Sequence, residues 1–80
     1  MDDLEIVARI GELTDEEHAL ERAHTGEALS DAEVERLRAL EVALDQCWDL
    51  LRQRRARRNA GEDPSAAVAR PETVVEGYEQ

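Results

Sequence analysis

The sequence predicts an all-α fold, an antiparallel helical hairpin of coiled-coil type followed by an extended C-terminal tail. Apolar residues recur with a helical period in two long segments, which a linker of about five residues separates. Leu, Ala, Glu and Arg dominate, Phe is absent, and one Trp and one Tyr are the only aromatic residues. This composition favours helices over sheets. We expect the hairpin to occupy residues 1–61 and the tail residues 62–80.

The first helix is predicted over residues 4–25. Asp2 or Asp3 can cap its N-terminus, where a carboxylate also interacts favourably with the helix dipole. Gly26 supplies a left-handed stop at its end. One face of this helix carries a stripe of apolar residues, which are Ile6, Ile10, Leu13 and Leu20.

The second helix is predicted over residues 30–60. Ser30 and Glu33 have the spacing of a capping box, and Leu29 with Val34 can form a hydrophobic staple beside it. Gly61 is expected to end the helix. Its apolar face contains Val34, Leu37, Leu40, Leu44, Cys47, Trp48 and Leu51.

The short linker predicts that the two helices pack antiparallel, with Val7 of the first helix near Trp48 of the second. In this register Glu17 lies in the apolar seam, where an unpaired carboxylate is costly, so we expect it to pair with Arg36 or Arg38. The residues predicted to anchor the packing are Leu13, Leu37, Leu44, Cys47, Trp48 and Leu51.

Two helices alone are expected to bury too little apolar surface for a stable isolated hairpin, since small domains have only a modest core. Ala39, Ala43 and Leu50 widen the apolar face of the second helix beyond what one partner helix covers. We therefore predict a homodimer in an antiparallel four-helix arrangement.

Charge is unevenly distributed along a chain of net charge -10. Residues 1–49 contain fifteen acidic residues and four arginines, whereas residues 50–58 contain five arginines and no acid. The overall acidity disfavours general nucleic-acid binding. The sequence has no signal peptide and no apolar run of membrane-spanning length, so we expect a cytoplasmic protein that is not bound to a membrane.

The arginine run has two interpretations. It can bind a phosphate, a nucleic acid or an acidic protein surface. Alternatively, it can be neutralised within the chain by Asp2, Asp3 and Glu5, which the register places beside it, and by the acidic tail. Arg57 and Arg58, at the far end of the longer helix, are expected to remain available. The candidate partner-binding residues are Arg54, Arg57 and Arg58 in the helix and Val74, Val75 and Tyr78 in the tail.

Cys47 is expected to be a structural thiol. Asp45 and Asp49 nearby would raise its pKa, whereas a redox-active cysteine needs a lowered pKa and access to solvent. His18 and His24 lie six residues apart and point in different directions on one helix, so a metal site would need ligands from two chains. We predict no metal and no cofactor.

No Gly-rich phosphate loop, catalytic triad or nucleophile–base pair is present, which argues against an enzyme. The leading hypothesis is a non-enzymatic interaction module, an adaptor or regulator of an unknown cytoplasmic protein. One alternative is nucleic-acid or ribosome association through the arginine-rich end of the second helix. Another is a small metal- or redox-linked helical protein.

The sequence also resembles a known family. The segments that carry the resemblance are MDDLEIVARI, DEEH, LDQCWDLLRQRRARR and RPETVVEGYEQ, and the run from Asp45 to Asp49 is the most specific. Together they resemble the small actinobacterial proteins of domain-of-unknown-function family 2630. The resemblance implies a complete bacterial protein whose tail belongs to the pattern, and it implies no activity, cofactor or partner.

Overall fold

The computed structural model describes residues 1–23 and 26–71, and this part of the chain contains helices and no strand. Helix α1 spans Asp3–Ala23 and helix α2 spans Asp31–Asn59. A short 3-10 helix follows at Pro64–Ala66. The prediction of an all-helical chain with two long helices is confirmed, and each observed boundary lies within two residues of the predicted one.

Both long helices begin with a reciprocal cap. In α2, the Ser30 side chain accepts a hydrogen bond from the Glu33 backbone N–H, and the Glu33 carboxylate accepts one from the Ser30 N–H. In α1, Asp2 and Glu5 exchange the same two bonds, at 2.8 and 3.1 Å. These bonds satisfy backbone donors that the first helical turn leaves without partners.

Helix α2 ends at a glycine in the left-handed conformation. Gly61 has φ 76°, and its N–H donates to the carbonyl of Arg58 while the N–H of Glu62 donates to that of Arg57. This is the Schellman arrangement, in which a residue with positive φ satisfies the last carbonyls of a helix. The chain therefore reverses direction immediately after α2.

Two ion pairs between the helices establish their antiparallel packing. Asp3 at the start of α1 contacts Arg54 near the end of α2, at 2.5 Å. Glu16, in the second half of α1, contacts Arg36 in the first half of α2, at 2.6 Å. Glu17 is predicted to pair with Arg36 or Arg38. The first alternative is wrong, because Arg36 donates two hydrogen bonds to Glu16 instead.

The apolar core lies between the two helices. Ile6, Ile10 and Leu13 of α1 and Leu40 of α2 are its buried residues. Among the other predicted packing anchors, Leu37, Leu44, Cys47 and Leu51 are partly buried. Trp48 is 48% exposed, so the hairpin alone does not bury it, and its role as a packing anchor of the hairpin or of a dimer stays a prediction. It lies in a groove that Val7 of α1 also lines.

Residues 62–71, termed here the returning segment, run back along α2 in the opposite direction. The Gln53 side-chain amide donates to the Val68 carbonyl at 2.7 Å, and the Gln46 amide donates to the Arg70 carbonyl at 3.3 Å. At about 100° per residue, the α2 positions that bind this segment face away from the core residue Leu40. The returning segment thus covers a second face of α2.

Candidate protein-interaction surface

Two arginines of the run, Arg54 and Arg58, share one carboxylate of α1. Asp3 accepts hydrogen bonds from Arg54 and from Arg58, and the closest contact to Arg58 joins Nη2 and Oδ2 at 2.9 Å. These bonds lower the pKa of Asp3 below its ordinary value. The expectation that Arg58 remains available is therefore wrong. The flexible guanidinium reaches back along α2 to a carboxylate that Arg54 already contacts.

The other candidate partner-binding residues have different surroundings. Arg57 is partly buried, and none of the carboxylates in residues 1–23 and 26–71 forms an ion pair with it. It lines a shallow depression between the end of α2 and the returning segment, together with Ala60 and Arg70. Val74, Val75 and Tyr78 lie outside the described residues.

A buried ion pair that the sequence did not predict holds the returning segment to α2. Arg70 donates to both carboxylate oxygens of Asp49, with Nε to Oδ2 at 2.9 Å, and Gln53 donates to Oδ2 at 3.0 Å. Asp49 has no exposed surface. The bond from Arg70 lowers the pKa of the carboxyl, against the opposing effect of burial.

A faint signal in the sequence did point to this second face. On the side of α2 opposite the main apolar stripe, several positions around Asp49 carry small or amide side chains, and these are Gln46, Gln53 and Ala56. Such residues allow another segment to approach closely. The sequence did not indicate that Arg70, twenty-one residues from Asp49, would supply the counter-charge.

Cys47 is a free, partly buried thiol. Burial raises its pKa, and Arg9 opposes that shift. The direction agrees with the sequence-based expectation, but desolvation, rather than the neighbouring carboxylates, is its main cause. Within the described residues, no group of three or more His, Cys, Asp and Glu side chains could hold a metal ion. His24 lies outside that part of the chain.

The most distinctive surface feature is an open groove beside Trp48, of about 460 Å³. Val7 is 55% exposed at its α1 side, and Leu4, one turn earlier, is 82% exposed. Val7 and Trp48 line the same groove, as the predicted register requires. We call this feature the Trp48 groove, and its lining residues are Asp3, Val7, Trp48, Leu51, Arg52, Arg55 and Arg58.

Charge and apolar surface coincide in the Trp48 groove. Arg55 is exposed, and no described carboxylate forms an ion pair with it. A half-exposed Trp beside Arg is typical of the residues that contribute most to protein interfaces. The arrangement offers an apolar floor with a basic rim on an otherwise acidic molecule.

Comparison with known proteins identifies the family. A family described as a protein of unknown function, DUF2630, matches residues 2–80. The chain belongs to this family. Uncharacterized protein Mb0922c of Mycobacterium bovis and uncharacterized proteins Rv0898c and MT0921.1 of Mycobacterium tuberculosis are each 51% identical over 77 residues. Each alignment covers 95% of this chain and 88% of the mycobacterial protein.

The DUF2630 chain has no match among solved structures. Within residues 1–23 and 26–71, no helix is both long and apolar enough to cross a bilayer. The family resemblance inferred from the sequence is confirmed.

Proposed function

We propose that this protein is a non-enzymatic interaction module that binds another protein through the Trp48 groove. The single observation that supports the proposal is the exposure of Trp48 beside Val7 and Arg55 in that groove. Leaving this much apolar surface in water is unfavourable, and contiguous apolar surface with a polar rim marks interaction sites. The apolar floor and basic rim of the Trp48 groove are complementary to a partner helix whose apolar face is flanked by acidic residues.

The proposal changes which arginines carry the binding role. Arg54 and Arg58 both contact Asp3, so their guanidinium groups are already engaged inside the chain by one shared carboxylate. Arg55 takes their place because it extends from the groove with no partner among residues 1–23 and 26–71. An adaptor or regulator that works in the cytoplasm, the setting we propose, needs no catalytic group for such binding.

Site-specific photo-crosslinking tests the proposal. A photoreactive amino acid at Val7 should give protein adducts in cells that produce the chain naturally, and Trp48→Ala together with Arg55→Glu should abolish them. The same amino acid at Val68, which is 65% exposed on the returning segment, is the matched control and should give none of those adducts. Identical adducts at both positions would contradict the proposal.

Nucleic-acid or ribosome association is the second candidate function. One observation favours it: Trp48 lies beside Arg52 and Arg55, and an exposed aromatic among arginines can stack on an unpaired base. Trp48 is the only Trp of the chain, so its fluorescence reports binding directly. Quenching by single-stranded RNA or DNA at about 50 mM salt, weakening steeply at higher salt, would support this candidate over the protein partner.

A further inference from the structure

One broad side of the hairpin carries three of the six large exposed apolar residues in the described part of the chain, Leu4, Val7 and Trp48, and the charges around them are placed symmetrically. We call it the Trp48 face. Seven residues separate Glu41 from Trp48, and seven more separate Trp48 from Arg55. Because seven residues make about two helical turns, these side chains follow one line along α2, about 10 Å apart. The face consists of Leu4, Val7 and Gly11 of α1 and Glu41, Trp48 and Arg55 of α2.

The two charged residues on this line, Glu41 and Arg55, form no ion pair within the described part of the chain. Both are exposed. They have opposite signs and equal distances from Trp48. A two-fold axis that crosses α2 at Trp48 would therefore bring Arg55 of each copy beside Glu41 of the other.

Helix α1 has the matching shape under the same axis. Leu4 is 82% exposed. Gly11, two turns later on the same side, has no atom within 4 Å of the place where a Cβ would lie. Leu4 lies three residues before Val7 and Gly11 four residues after it. An axis at the level of Val7 therefore directs Leu4 of each copy into the open space over Gly11 of the other.

The unequal lengths of the helices favour this antiparallel arrangement. Helix α2 has 29 residues and α1 has 21, so the arginine-rich end of α2 extends past the start of α1. In the two-fold arrangement, α1 of the second copy continues across that extension. It brings exposed Asp15 to the level of Arg55. Acidic surface of one copy then faces basic surface of the other at both ends.

We infer that the partner of the Trp48 face is a second copy of this chain, bound antiparallel with Trp48 against Trp48 and two Glu41–Arg55 ion pairs. The inference rests on the proposed function, for which it names the partner. It also moves the predicted dimer interface. Ala43 and Leu50, which suggested a dimer from the sequence, line a different groove, between α1 and Ala69 of the returning segment.

Charge reversal on the full chain tests the inference. Wild type should sediment as a dimer at micromolar concentration in analytical ultracentrifugation. Glu41→Arg and Arg55→Glu should each raise the dimer dissociation constant at least ~10-fold, because like charges then face each other twice. An equimolar mixture of the two variants should form a heterodimer with the wild-type constant, since both contacts are again between opposite charges.

The matched control is Glu35→Arg, which makes the same charge change at an exposed α2 position on another side, where Glu35 and Ala39 line a separate groove. It should leave the dimer intact. Far-UV circular dichroism checks that each variant is folded. If each variant alone has a lower helix content than wild type, the equimolar mixture still tests the inference. Helix content and dimer should then both return in the mixture, because the heterodimer restores the Glu41–Arg55 contacts.

Two results would overturn the inference. The first is that wild type sediments as a monomer at ~100 µM. The second is that the equimolar mixture of Glu41→Arg and Arg55→Glu stays monomeric although each variant is folded. Either can occur while Val7 still crosslinks to a different protein, which would leave the proposed function in place. Loss of every adduct at Val7, self-adducts included, would instead remove the proposed function as well.

Discussion

Arg70 donates two hydrogen bonds to the carboxylate of Asp49, which is completely buried on the face of α2 opposite α1. Gln53 contributes a third donor, so the buried charge is well satisfied. This contact fixes the returning segment to α2 and makes the structure three layers deep, with α2 in the middle. Helix α2 is therefore packed on two faces, and the Trp48 face is left to water.

Removing Arg70 should destabilise the fold clearly. In Arg70→Ala, the Asp49 carboxylate is left buried without its counter-charge, which should lower the free energy of unfolding by about 2–3 kcal/mol. Urea unfolding followed by circular dichroism measures the loss. Arg36→Ala is the control, since its two bonds to Glu16 are solvent-exposed and such pairs contribute about 1 kcal/mol or less. Equal losses in the two variants would contradict a special role for Asp49.

Stability should fall in acid because of the same pair. The folded state lowers the pKa of Asp49 below the ordinary value of 3.8, mainly through the bond from Arg70. The contribution is therefore complete above about pH 4 and is lost as the pH falls further, because the unfolded chain binds the proton more readily. Asp3, whose pKa is also lowered, acts in the same direction.

Urea unfolding between about pH 7 and pH 2.5 checks this dependence. Asp49→Asn should be less stable at neutral pH and should lose less of its remaining stability in acid, since the titrating group is gone. Parallel curves for wild type and Asp49→Asn would show that other carboxyls govern the acid transition.

The capping box of α2 should be measurable as a local contribution. Ser30→Ala removes the side-chain acceptor for the Glu33 N–H, which should lower the free energy of unfolding by about 1 kcal/mol. Ser30→Asp keeps an acceptor and serves as the control, with a change of only a few tenths of a kcal/mol expected. If alanine and aspartate are equally tolerated, tertiary packing alone holds the start of α2.

Cys47 should react slowly while the protein is folded. Burial raises the pKa of the thiol, which lowers the fraction of reactive thiolate at neutral pH, and also limits access. A chromogenic disulfide reagent should modify it at least ~10-fold more slowly in buffer than in denaturing urea. Fast, stoichiometric modification of the folded protein would reopen the redox alternative.

Much of the hairpin could be predicted because its signals are local. The capping box at Ser30 and the stop at Gly61 each depend on residues within one turn of one another. The antiparallel packing follows from the short linker, and the apolar stripes set the register. The same register placed Asp3 beside Arg54, which made neutralisation of part of the arginine run foreseeable.

The other features of the structure depended on the relative positions of several segments of the chain. A helical wheel gives the direction in which Trp48 points, but its exposure depends on which segments of the chain pack beside it. Arg58 was expected to be free because of its distance along α2, yet its long side chain reaches Asp3. Such outcomes depend on distances of a few ångströms between separate elements, which spacing in the sequence does not specify.

The sequence by itself thus determined the two helices, their caps, their ends and their antiparallel packing, because each depends on side chains a few residues apart or on a regular period. Only the tertiary structure decided that Arg70 neutralises Asp49 and that Trp48 faces solvent. The physical reason is that both require the path of the returning segment after Gly61, which places a counter-charge on one face of α2 and leaves another face uncovered.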